Sequence, residues 1–288
     1  MSGWLKPVGV TLGAIAAGMG TAVIVGTLVW NRATARAVSR LGSFSGTGQS
    51  AAPLTFTRDQ LAGLPPPVVR YFEFALTPGQ PIVRRAFIRH AGEFRTRLGA
   101  PTSPFTSVQH VTTDAAGFVW DADIRMVPFI PTRVRDSYIG GEGTMHGAVA
   151  GLVPVVHQGG TPSIARGALV RYLAEAVWYP TALLPRPGLS WTAIDDSSAR
   201  LTLTDGATTV WLDVRFGNHG QIDRVSTVRD RDVKGVGVPT PWTAFNSRYE
   251  RVAGMMIPMA GEVTWDLAEG PLTYWRGRIV EIEFVTAR

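Results

Sequence analysis

The chain of 288 residues contains no cysteine. That excludes disulfides, thiolate metal sites, a cysteine nucleophile and an acylated lipoprotein cysteine. Lysine is almost as scarce: Lys6 and Lys234 are the only two, so nearly all of the 28 basic residues are arginine. Such a bias fits planar, bidentate recognition of phosphate or carboxylate, and it fits equally the codon usage of a high-GC genome. Charge is thin, 17% of residues, and residues 7–31 carry none. No block of five or six like charges occurs and no basic motif is interleaved with aromatics, so the net charge of +6 does not point to nucleic acid.

Catalytic signatures are missing as well. None of the five histidines (His90, His110, His146, His157 and His219) stands three or four residues from another, so no zinc site is expected. There is no Gly-x-Ser-x-Gly elbow, phosphate-binding glycine loop or dinucleotide fingerprint. Gly140-Gly141-Glu142-Gly143 reads as a tight turn between strands. No cofactor, metal or catalytic residue is assigned.

The longest apolar run lies at the start. A helix over the 25 uncharged residues between Lys6 and Arg32 would span roughly 37 Å, against a hydrocarbon core of about 30 Å. Trp4 and Trp30 flank it where interfacial aromatics belong. The competing reading is a signal peptide cleaved near Ala33-Thr34-Ala35, but signal h-regions run about 7–15 residues. A retained single-pass anchor in the cell membrane is expected, with the side that carries the domain left open. Small residues recur every four positions (Gly9, Gly13, Ala17; Ala14, Gly18, Ala22, Gly26), a spacing compatible with a homodimer through this helix. The expected organisation is an anchor over residues 1–31, a flexible linker over 32–55 and a single β-rich domain over 56–288 that opens with a short helical region.

From Ile82 onward the apolar period is two. Trp120, Ala122, Ile124 and Met126 alternate with Asp121, Asp123 and Arg125, and Val210, Leu212, Val214 and Phe216 behave alike. Glycine-rich turns separate such runs, giving about ten or eleven antiparallel strands, too many for a flat open sheet. One segment departs from this pattern. Over Ser163–Trp178, Leu169, Tyr172, Leu173, Ala176 and Val177 share one helical face, with Arg171 and Glu175 four apart on the other. The fold class expected is mainly β: a large curved antiparallel sheet, an incomplete β-barrel, covered on its concave side by one or two helices and preceded by a transmembrane helix.

On that scaffold Arg171, Glu175, Trp178, Tyr179 and Trp120 are the candidate ligand-binding residues. Arg171 and Glu175 sit either on an exposed helix face or at a pocket rim, where they could hold a polar headgroup. Asp121 and Asp123 share a strand face with Arg125 and read as solvated surface; Asp136 and Tyr138 occupy a strand-to-turn transition.

Five stretches carry a resemblance: Leu64-Pro65-Pro66-Pro67-Val68, Gly117-Phe118-Val119-Trp120-Asp121-Ala122, Asp136-Ser137-Tyr138-Ile139-Gly140-Gly141-Glu142-Gly143, Arg171-Tyr172-Leu173-Ala174-Glu175 running to Trp178-Tyr179-Pro180-Thr181-Ala182-Leu183-Leu184-Pro185, and Pro241-Trp242 with Ile257-Pro258 to Trp265. Together they resemble a bacterial family of unknown function that often carries an amino-terminal membrane helix. The element order is similar to the lipoprotein-carrier fold, an incomplete barrel that shelters acyl chains. The family has no established activity to carry over; the anchor, the curled all-β sheet, the nine tryptophans and the lack of a catalytic motif together lead to the expectation of a membrane-anchored protein that binds a lipid or other apolar ligand. The alternative is an enzyme acting on a membrane-derived substrate through a carboxylate/arginine site.

Overall fold

The computed structural model describes residues 5–44, 54–127 and 130–287, with side chains from residue 20 onward except Val127. Helix α1 runs from Leu5 to Phe44. Residues 32–44, expected to be linker, therefore continue the helix, while 45–53 lie outside the described residues. The reason is a second apolar stripe past the uncharged run. Trp30, Ala37, Val38 and Leu41 recur at helical spacing, and Trp30 and Leu41 are buried against the sheet. Trp4 and the small residues of positions 9–18 lie outside the described side chains. Among the described residues no helix is long and apolar enough to cross a membrane.

A short 3-10 turn, Arg58–Leu61, is closed by the Gln60 side chain accepting from the Thr57 N–H at 2.8 Å. Helix α2, Pro66–Ala75, uses prolines in its first turn, where no N–H is needed, and buries Val68, Tyr71, Phe72 and Ala75.

Two antiparallel meanders follow. The first comprises β1 (Val83–Phe94), β2 (Ser103–Thr112), β3 (Gly117–Val127), β4 (Ile130–Ile139), β5 (Glu142–Val149) and β6 (Val153–Gly159). Helix α3, Pro162–Glu175, comes next and passes through 3-10 turns at Ala176–Trp178 and Pro180–Leu183. The second meander comprises β7 (Leu189–Asp195), β8 (Ser198–Asp205), β9 (Thr208–Phe216), β10 (Ile222–Val233), β11 (Val236–Val252), β12 (Met255–Leu267) and β13 (Gly270–Thr286). Among the described residues thirteen strands thus replace the ten or eleven expected. The edge strand β6 and its neighbour β5 contain Pro154 and three glycines and show no clean alternation, because an edge buries little.

The two meanders join where β1 pairs β13, so the sheet order is β6-β5-β4-β3-β2-β1-β13-β12-β11-β10-β9-β8-β7, with β6 and β7 as unpaired edges. Helix α3 connects those two edges. It packs chiefly against β4 and β5 of the first meander and β9 and β10 of the second. Near the centre of the sheet Gly92, Gly277 and Gly261 stand side by side on β1, β13 and β12. A Cβ on Gly92 would fall 1.9 Å from the Arg276 carbonyl oxygen, so only glycine permits this tight bend.

Because the sheet curls, both arms reach α3. Its N-terminus is capped by Thr161 Oγ1, which accepts from the Ile164 N–H at 3.3 Å. Ser163 Oγ donates to Asp230 Oδ2 on β10 at 2.7 Å, and Arg229 Nη2 donates to the Gly167 carbonyl at 2.8 Å. Leu169, Leu173 and Val177 face the interior, as their spacing predicts. The opposite face is covered too: Ala168, Val170 and Ala174 are buried, and the Arg171 side chain is only 18% exposed. The exposed-face alternative for Arg171 and Glu175 is thereby corrected. A helix lying in a trough between two sheet arms has no wet side at this level.

On the outer, convex face lies α1. Trp30 Nε1 and Thr34 Oγ1 donate to the two oxygens of Asp121 at 2.8 and 3.0 Å, and Arg133 Nη2 reaches the same carboxylate at 3.1 Å. The Arg135 guanidinium stacks 4.7 Å from the Trp30 ring centre. Asp121, expected to be solvated, is therefore the acceptor that docks α1.

Candidate functional site beneath the covering helix

Cross-strand register builds the site. Gln109 on β2 is level with Trp120 on β3, which is level with Asp136 on β4, and all three project to the concave side under α3. One turn of α3 sets Arg171 and Glu175 above them. Arg171 Nε donates to Glu175 Oε1 and its Nη1 to Asp136 Oδ2, both at 2.8 Å. Gln109 Nε2 donates to the other oxygen of Glu175 at 2.6 Å. The guanidinium lies 4.6 Å from the Trp120 ring centre and 5.1 Å from that of Phe118. Burial opposes the charge on Arg171, but the two carboxylates outweigh it and hold its pKa above the usual value. One cation against two carboxylates leaves no positive charge to spare for an anionic ligand.

His90 borders this cluster from β1. It is 2% exposed, its Nδ1 is 3.3 Å from Ser107 Oγ, and its ring sits 4.8 Å from that of Trp178 and 6.2 Å from that of Trp275. Burial, reinforced by the nearby Arg171 charge, lowers its pKa to about 3, so it is neutral at pH 7. His90 Nε2, Gln109 Oε1 and Trp120 Nε1 are buried polar atoms without a hydrogen-bond partner among the described residues.

The candidate residues thus fall into two groups. Arg171, Glu175 and Trp120 converge, with Trp178 next to them through His90. Tyr179 is fully buried and its hydroxyl points to the Tyr172 carbonyl at 3.4 Å, so it is part of the packing beneath. Asp136 joins the cluster, whereas Asp123 faces the other side of β3. His90, Ser107 and Gln109 were not singled out from the sequence. Their signal is a polar residue in the apolar phase of a strand: Ala86, Ile88, His90 and Phe105, Ser107, Gln109, Val111. Among the described residues no group of three metal-ligating side chains exists.

Beneath α3 the interior is filled, with Tyr71, Phe72, Phe118, Tyr172, Leu169 and Leu173 almost fully buried. Toward β11–β13 the cover ends. There Phe94, Met259, Val263, Trp265, Tyr274 and Trp275 pack against the core yet remain partly exposed. A bulge between Val263 and Thr264 lets β13 present Tyr274 and Trp275 together. Trp265 and Tyr274 stack at 6.0 Å, Phe94 meets Tyr274 at 6.1 Å, and Trp242 Nε1 donates to the Tyr274 hydroxyl at 3.1 Å. The Arg229 guanidinium lies over both Trp242 and Trp265, at 5.0 and 5.6 Å. The result is an aromatic floor beside a buried polar cluster.

The profile of a family of unknown function, DUF6920, matches residues 62–284. The chain belongs to this family. Its matched segment begins just before α2 and takes in every strand, α3 and the aromatic floor. No curated protein matches the chain. Among solved structures, the DUF6920 chain is similar to a LolA superfamily protein from Nitrosomonas europaea, at 12% identity and a TM-score of 0.40, covering 77% of this chain and 93% of that one. It is also similar to a putative outer membrane lipoprotein-sorting protein domain from Vibrio parahaemolyticus (9% identity, TM-score 0.40, 71% and 87% covered). A third is a DUF1329 family protein from Desulfovibrio piger (14% identity, TM-score 0.31, 70% and 86% covered).

Proposed function

We propose that this DUF6920 chain is a single-pass membrane protein whose half-barrel takes a lipid or other apolar ligand. The observation that carries the reading is the aromatic floor. Six large apolar side chains of β1, β12 and β13 line the concave side where α3 no longer covers them. A half-buried, largely aromatic concave surface with a few convergent polar groups beside it is characteristic of ligand sites. In this reading an acyl chain lies along Trp265, Tyr274 and Trp275. Its polar end meets the unpartnered atoms of His90, Gln109 and Trp120. Trp178 supports the wall, and the Arg171–Glu175–Asp136 cluster fixes the height of α3. The part of α1 that precedes its contact with the sheet at Gly26 supplies the anchor, with dimerisation through its small residues as a further expectation.

The test uses the full chain in its membrane and a diazirine-bearing fatty acid as probe. After photolysis and proteolysis, adducts are expected on peptides containing residues 90–94 and 259–279. Trp265→Ala should reduce them. Adducts confined to residues 5–30, or a yield indifferent to Trp265→Ala, would refute an interior site.

A further inference from the structure

We infer that one end of the sheet rests on an anionic lipid surface, through the β1–β2 and β5–β6 connections and the adjoining ends of β3 and β4 at Met126 and Ile130. This rests on reading residues 5–26 as the anchor. Strand register places these ends together. Phe94 is level with Ser103, Phe105 with Ile124, Ile124 with Thr132, and Thr132 with Val149. Helix α1 reaches the same end, because Gly26 packs directly on the β5–β6 turn. A Cβ there would lie 2.1 Å from the Ala150 carbonyl oxygen and 2.7 Å from Leu152.

Residues 5–26 lie before that contact and, at 1.5 Å per residue, span about 33 Å, close to the ~30 Å of a hydrocarbon core. The contact at Gly26 then marks the level of the interface. The apolar side chains at this level are unusually bare. Leu152, Val153 and Val155 are 43%, 60% and 55% exposed, and Met126 and Ile130 on the neighbouring hairpin are about 40% exposed. The free side of α1 continues the patch with Ile24, Val25, Leu28 and Val29.

Charge selects the occupant. No Asp or Glu occurs in residues 5–44, 95–104, 125–133 or 147–157, and the first acidic residue of the whole chain is Asp59. The same segments hold Lys6, Arg32, Arg36, Arg40, Arg95, Arg97, Arg125 and Arg133. Arg40 is paired with Glu142 and Arg133 with Asp121, and Asp123 stands level with Arg133, so Arg95, Arg97 and Arg125 at the sheet end and Arg32 on α1 carry the positive charge of this end. Apolar tips ringed by arginine, at the end where an uncharged helix departs, fit an interface of anionic headgroups.

The absence of cysteine makes the test clean. Leu152→Cys in the full chain is labelled with bimane and reconstituted in vesicles of phosphatidylcholine and phosphatidylglycerol with brominated acyl chains. His219→Cys, in the exposed β9–β10 connection, is the control. The Leu152 label should lose emission to the brominated chains, and more so with phosphatidylglycerol present, while the His219 label keeps its emission. A chain that floats with the vesicles but shows no loss at Leu152 overturns the docking and leaves the anchor standing. Bromine-independent self-quenching would mean that the patch faces a second copy, which also overturns it. A chain that does not float with the vesicles overturns anchor and docking together.

Discussion

Arg171→Met offers the sharpest test of the site. Arg171 makes two charge-assisted hydrogen bonds of 2.8 Å, to Glu175 and Asp136, and the three side chains are 18%, 15% and 9% exposed. Methionine keeps most of the aliphatic length and the packing against Trp120, so the charge is the main thing removed. Two carboxylates then remain under α3 with only the Gln109 amide between them and an uncompensated burial cost. Breaking a buried pair by removing one partner costs about 3–5 kcal/mol. An exposed i,i+4 pair would cost only about 0.3–0.5 kcal/mol. Leu173→Ala, at a core position of the same helix, should cost about 2–5 kcal/mol and provides the internal scale. Urea unfolding of the full chain, read by tryptophan emission, compares the three proteins. Adding Glu175→Gln to Arg171→Met should recover part of the loss, since one stranded charge is gone. A cost below about 1 kcal/mol for Arg171→Met, with no recovery in the double variant, would refute a buried ionic cluster.

Two further outcomes follow from the same geometry. His90 has a folded pKa depressed to about 3 against 6.5 when unfolded, so between those values the unfolded chain binds the extra proton and stability falls as the pH drops. The limiting slope is about 1.4 kcal/mol per pH unit, and because it is only half developed at pH 6.5 the change from pH 6.5 to 5 is about 1.6 kcal/mol. His90→Gln should remove that increment in melts at the two pH values, and an unchanged slope would show that His90 is not buried neutral. Asp121→Ala removes the acceptor of Trp30, Thr34 and Arg133 and should expose α1 to hydrogen exchange over residues 27–41, leaving α3 protected. Equal protection in both proteins would show that apolar contacts alone dock the helix.

The strands were legible because one face of the sheet is wet and the other packed, so Val210, Leu212 and Val214 advertise themselves by alternation. The hairpin β5–β6 was not, because an edge buries too little to impose a pattern. Helix α3 was legible through Leu169, Leu173 and Val177, but the burial of Arg171 was not. Periodicity identifies the apolar side of a helix and assumes that the other side meets water, whereas here a second sheet arm lies there. The extension of α1 was hidden for a related reason. Its stripe of Trp30, Thr34, Ala37, Val38 and Leu41 is interrupted by Thr34, a polar residue that earns its place by donating to Asp121. The polar cluster needed the third dimension altogether: Gln109, Trp120 and Asp136 belong to three strands, and only their register makes them neighbours.

Edge-to-edge crossing by α3 also determines how the site can respond to a ligand. The arms of the sheet share no strand pairing across the mouth, so their separation is set by the contacts that bridge it. The Tyr138 hydroxyl donates to Asp205 Oδ2 at 2.7 Å, linking β4 to β8, and Gln158 bonds Asp232, linking β6 to β10. Arg171 ties α3 to β4, while Ser163 and Arg229 tie it to β10. Each of these is a polar contact exchangeable with water, unlike the continuous ladder that would close a true barrel. If an acyl chain binds along Trp265 and Trp275 as proposed, it would be accommodated first by loosening the bonds to α3, without breaking a strand pair. The same contacts explain why a charged trio is tolerated in the interior: its partners come from both α3 and β4, so it holds only when the helix is seated at the right height and rotation.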